Sequence, residues 1–113
     1  MKIKELSEKS GLSAHTIRYY EKIHLLQTPS KDTSGHRNYN NDDLELINWV
    51  ACLKNSGMSL QKIKDYTHAY HQQENRTLMT ILELHLSKLK RQETDIKHYI
   101  DVTEQKIKRL KNP

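Results

Sequence analysis

Between Leu78 and Leu110 the chain contains neither proline nor glycine, and its apolar residues recur in a 4-3 alternation: Leu82, Leu86, Leu89, then Ile96, Ile100, Ile107 and Leu110. Glu93 and Thr103 fill the two remaining positions of that series. The pattern predicts one long helix with a heptad seam. A stripe on so long a helix must be covered, and the rest of the chain is too small to cover it. The sequence has no phenylalanine and is only 35% hydrophobic, which argues against a single deep core. The simplest partner for the seam is the same helix from a second copy, so a homodimer is expected. Within it, Glu93 reads as a register device paired with a cation across the seam, or as the gate of a ligand pocket between subunits.

The preceding residues carry shorter helix signals. Lys4–Ser10 fits a short helix of about two turns with Ile3 and Leu6 on one side, and Gly11 supplies the positive φ that ends it. Ser13 is the expected N-cap of a second helix, from Ala14 to about Ile23. Two short helices separated by Gly11-Leu12-Ser13 have helix-turn-helix spacing. Pro29 and the run Lys31–Gly35 are turn chemistry, so Leu26–Thr28 and Arg37–Tyr39 are expected to pair as a small hairpin, a wing, with Arg37 and Tyr39 on one face. Asn41 with Asp42 and Asp43 opens a third helix, whose stripe is Leu46, Val50 and Leu53 and whose end is Gly57. Ser59 caps a fourth, with Leu60, Ile63 and Tyr66 or Thr67 facing inward. This organisation divides the chain into residues 1–70, a connector at 71–76, and the dimerisation helix at 77–113.

The second helix asks for an explanation. Thr16-Ile-Arg-Tyr-Tyr-Glu-Lys22 mixes cations and tyrosines in a way that suits neither a core nor a plain solvated face. At about 100° per residue, Ala14, Ile17 and Tyr20 fall on one side. His15, Arg18, Tyr19 and Lys22 lie opposite, with Thr16 at the edge. Arginine and lysine there can neutralise phosphates or read guanine, and hydroxyls can fix register on a duplex backbone. Charge is permissive: the formal net charge is +5, with +3 in residues 1–40 and +3 in residues 71–113.

Three separated motifs then carry a resemblance. The segment Ile3–Leu26, the wing Ser34-Gly-His-Arg-Asn-Tyr39, and Gly57-Met-Ser-Leu-Gln-Lys-Ile-Lys64 closely resemble the MerR family of bacterial transcription regulators, over residues 1 to about 70. The resemblance implies a mainly α, winged helix-turn-helix dimer joined by an antiparallel coiled coil. It implies double-stranded promoter DNA as partner, bound at a near-palindromic operator and distorted so that RNA polymerase, engaged through the promoter, reads both its elements. Thr16, Arg18, Tyr19 and Tyr20 match its recognition-helix positions and Arg37 its wing arginine, while Tyr39 is expected to support the wing by packing. One departure is His24, where the family pattern has glycine; a left-handed residue there costs histidine more than glycine.

Cys52 is the only cysteine. It excludes an internal disulfide and a multi-thiolate metal cage. With Leu46 at 0°, Val50 falls at about 40° and Cys52 at about 240°, at a polar boundary beside Trp49 and Glu45. Its setting resembles the single-cysteine branch of the family that answers aldehydes and nitrosative stress, which makes Cys52 a candidate sensor through electrophilic or redox modification. A packing role for Cys52, with a small ligand at the dimer interface as the signal, is the alternative. An adaptor that docks protein rather than DNA is another. His68 and His71 could share a metal, but two imidazoles make a weak site, and no metal or cofactor is expected. No base is placed beside Cys52 in the sequence and no phosphate loop occurs, so an enzyme is not expected. The longest apolar-rich run, Leu46–Leu53, is too short to cross a bilayer, and the chain reads as cytosolic.

Overall fold

A computed structural model describes all 113 residues. Five helices follow in order: α1 (Ile3–Ser10), α2 (Ala14–Lys22), α3 (Asn41–Asn55), α4 (Leu60–His71) and α5 (Asn75–Lys111). The chain divides into two units, Met1–Leu78 and Met79–Pro113.

In the first unit α1 packs against α2 and α3, and α3 against α4. Leu6, Ile17, Leu25, Val50, Leu53 and Ile63 are its most deeply buried large side chains. The turn between α1 and α2 forms as the sequence demands. Gly11 adopts φ 77° and its N–H donates to the Ser7 carbonyl, while the Ser13 hydroxyl accepts from the Thr16 N–H at 3.0 Å. Three helix ends then close in the same way. His24 (φ 61°), Gly57 (φ 98°) and Gln73 (φ 56°) each take the left-handed position after α2, α3 and α4. The following N–H reaches back to the carbonyl of Tyr20, Leu53 or Ala69, which is the Schellman closure. His24 thus occupies the conformation its neighbours' spacing requires. Gln73 does so with no glycine to announce it.

Several expectations shift by a residue or a face. The cap of α3 is Asn40 rather than Asn41: its side chain accepts from the Asp43 N–H, and Asp43 returns a bond to the Asn40 N–H, a reciprocal capping box. Ile47, not Leu46, is buried with Val50, Ala51 and Leu53, because α3 must serve α1 on one side and α4 on the other and so needs a broader stripe. Leu60 is exposed, and Ile63, Tyr66, Thr67 and Ala69 form the inner face of α4. The turn after α4 comprises only residues 72–74, since His71 ends α4 and Asn75 starts α5.

The hairpin is the largest correction. Leu26–Thr28 and Arg37–Tyr39 do not pair; one antiparallel bridge, Lys31 with Arg37, is all that forms. The flanks are engaged elsewhere. Leu25 and Leu26 donate to the Tyr20 carbonyl to close α2, and the Tyr39 N–H donates to the Met1 carbonyl at 2.8 Å. The wing is therefore a tight loop, held by Asn38 N–H to Ser30 carbonyl at 2.8 Å and Asp32 N–H to His36 carbonyl at 2.7 Å.

The second unit is the greater part of α5. No residue of α5 is buried, and Leu86, Ile96, Ile100, Ile107 and Leu110 are each about half exposed or more. Glu93 pairs with Lys97 one turn on at 3.4 Å, and the Thr103 hydroxyl donates to the Tyr99 carbonyl at 2.7 Å. No helix is long and apolar enough to cross a membrane.

Candidate nucleic-acid interface

Helix α2 is short, and its cap does much to define it. The Ser13 hydroxyl accepts from the Thr16 N–H and donates to Thr16 Oγ1 at 2.9 Å, which leaves the Thr16 hydroxyl hydrogen for an outside acceptor. His15, Arg18, Tyr19 and Lys22 are exposed and Thr16 is half-buried, as the helical spacing places them. Tyr20 differs. It is 4% exposed and belongs to the core, so it has no surface to offer a duplex. Its ring stands 6.2 Å from that of the exposed Tyr19, and its contribution is to back that side chain. Burial, with the neighbouring Tyr19, pushes the Tyr20 hydroxyl pKa up, so it stays a neutral donor.

Glu21 is the residue that sequence reasoning missed. Its side chain is 3% exposed, on a helix whose outer face is cationic. Oε2 accepts from Arg37 Nε at 2.9 Å and Oε1 accepts from the Tyr39 hydroxyl at 2.7 Å. Recognition helix and wing are thereby joined through one carboxylate. Arg37 and Tyr39 do share a face, as alternation predicts, and it is the face that meets α2. Burial pushes the Tyr39 hydroxyl pKa well above its usual range, and the bond to Glu21 adds to the shift. A signal for Glu21 was present: one turn after Ile17, it falls on the buried stripe, where an acid requires partners.

The wing tip has its own anchor. Asp32 accepts from the N–H groups of Ser34 (2.9 Å) and His36 (3.0 Å) and pairs with Lys2. The Lys2 bond, with these two N–H groups, holds its carboxyl down at about 2. Beneath Glu21 and Tyr39 lies a cavity of about 30 Å³ that Asp43 and His71 also line. His71 Nε2 is buried there without a partner, and burial, with His68 nearby, pushes the imidazole pKa down. No cluster of three or more His, Cys, Asp or Glu residues forms a metal-binding group, so His68 and His71 stand without a third ligand. Cys52 is exposed on α3. Trp49, one turn earlier, is itself part-exposed and meets Tyr66 edge-on at 6.4 Å between ring centres.

A capped helix with an exposed basic and hydroxyl-bearing face, set in a helix-turn-helix and braced by a wing, defines a helix-turn-helix regulatory protein. A family model described as MerR HTH family regulatory protein matches residues 1–70. The chain belongs to the MerR family, whose members are transcription regulators rather than enzymes. An uncharacterized HTH-type transcriptional regulator of Haemophilus influenzae is 33% identical over 103 residues, which cover 89% of this chain and 76% of that protein. The regulator AdhR of Bacillus subtilis is 34% identical over 67 residues, but that match spans only 48% of its own length. Among solved structures, a MerR family regulator from Listeria monocytogenes superposes with TM-score 0.89 at 30% identity, over 99% of this chain and 86% of that one. HiNmlR, a MerR family regulator lacking the sensor domain and bound to promoter DNA, superposes with TM-score 0.83 at 31% identity, over 95% and 83%.

Proposed function

We propose that two copies of the chain, paired antiparallel through the α5 seam, bind a near-palindromic operator in a promoter spacer and regulate transcription by distorting that DNA. The observation that carries this reading is the outer face of α2: His15, Arg18, Tyr19 and Lys22 stand exposed together, with Thr16 at the edge and Arg37 fixed alongside. Cations at that surface neutralise phosphates on each half-site, which a protein that bends its operator must hold firmly. RNA polymerase is engaged through the altered promoter rather than by direct contact. The likeness to HiNmlR, solved on promoter DNA, supports the same use of this surface. Modification of Cys52 by an electrophile or oxidant is the proposed trigger, favoured by the exposure of its thiol on α3.

Footprinting on the DNA upstream of the chain's own gene, with and without formaldehyde or a quinone, tests both parts. The expected result is a protected near-palindrome inside a promoter spacer, lost on Arg18→Ala and weakening steeply with salt. Absence of protection on any duplex overturns the regulator reading. A Cys52→Ala protein whose footprint still changes fully with the electrophile removes the thiol from the mechanism and leaves the rest standing.

A further inference from the structure

Glu21 is an acid retained within a surface that is to meet a polyanion, and its charge opposes that encounter. Burying it costs free energy unless both oxygens find donors. They do, and both donors come from the wing: Arg37 Nε on Oε2 and the Tyr39 hydroxyl on Oε1. The choice of Nε matters. It is the donor nearest the arginine stem, and engaging it fixes the guanidinium plane while leaving the two Nη groups for an external acceptor. The Arg37 side chain retains 36% of its exposure, so that end is accessible. The wing backbone behind it is immobilised too, because the Tyr39 N–H is held by the Met1 carbonyl.

Resting on the DNA-binding reading above, we propose that Glu21 is a positioning residue that presents Arg37 as an oriented two-pronged donor to a backbone phosphate. The ion pair is close to neutral as a unit, so the gain from Arg37 lies in geometry more than in net charge. Lysine cannot substitute. Its ammonium has three donors, but they radiate from one point and fix no plane. It can meet Glu21 and a phosphate only as a point charge, whereas arginine holds Glu21 through Nε and presents an oriented fork.

The test is a double-mutant cycle on duplexes selected from a random pool by the unaltered protein, with affinity and melting temperature measured for each variant. Arg37→Lys is expected to bind about tenfold more weakly, close to Arg37→Ala, because the fork is lost although the charge is kept. Glu21→Gln preserves shape but removes the charge that grips Arg37 Nε, so the guanidinium is held more loosely, and the variant is expected to lose affinity several-fold while keeping most of its melting temperature. Combining it with Arg37→Lys is expected to add little to the lysine variant's loss. Losses that multiply independently overturn the proposal, as does Arg37→Lys binding as tightly as the unaltered protein. Even if Glu21→Gln unfolds, Arg37→Lys still tests the fork, since lysine keeps a cation beside the buried Glu21 carboxylate. Failure of the unaltered protein to enrich any duplex instead removes the DNA-binding reading on which the proposal stands.

Discussion

His24 shows how a single backbone angle can be read from spacing. A family position that favours glycine carries an imidazole here, and its φ of 61° is the left-handed value that such a helix end requires. For an L-residue that conformation costs about 1–2 kcal/mol, partly offset because histidine loses less backbone freedom than glycine on folding. His24→Gly is therefore expected to melt at the same temperature or a few degrees higher, by circular dichroism. Gly57→Ala, at φ 98°, is the mirror experiment: a Cβ there meets no atom within 4 Å, so the whole loss, about 1 kcal/mol or more, is backbone strain. A His24→Gly protein that melts distinctly lower would show that the imidazole has work of its own. Other residues were not legible in this way. Glu21 falls on the inner stripe one turn after Ile17, but the partners that satisfy it there, Arg37 and Tyr39, lie sixteen and eighteen positions away, beyond the reach of local spacing. Tyr20 fell on the inner face by periodicity and on a recognition-helix position by family resemblance, and its burial agrees with the periodicity.

Among the elements, helices were legible because their signals are local. Ser13 and Ser59 cap where the sequence says they should, and Gly11 and Gly57 close where they should. The wing was legible as a turn but not as a hairpin, because nothing local reveals that Leu26 is drawn to Tyr20 or Tyr39 to Met1. With so little ladder, the wing tip depends on Asp32, whose carboxyl is held down at about 2 by the Lys2 bond first and by the His36 and Ser34 N–H groups after it, against an ordinary value of 3.8. A depressed carboxyl favours the folded loop above its ordinary pKa and loses that contribution as pH falls toward the folded value. Amide protection of Ser34 and His36 is expected to hold above about pH 4 and to decline between about pH 4 and 2. In Asp32→Asn it should be lower and flat across the same window. Equal protection in both proteins at neutral pH would mean that the loop is held by other bonds.

For the whole molecule, the long helix α5 was legible because a heptad is a purely sequential pattern, whereas the pairing of its apolar stripe with a second copy is an inference from its exposure. Ile96 and Ile100 lie at the middle of the exposed stripe. Replacing both by aspartate places charges where two apolar faces would meet, and the expected outcome in sedimentation is a shift from dimer to monomer with operator affinity lost alongside. Dimers that persist with both aspartates in place would send the search for the interface elsewhere. Because no residue of α5 is fully buried within its own chain, the proposed pairing would supply most of the cover for its apolar stripe. A newly made copy in dilute surroundings would carry a frayed, protease-sensitive tail until it met another. Its lifetime would then rise with its own abundance, which sets a floor on the number of copies a cell must keep for the regulator to persist at all.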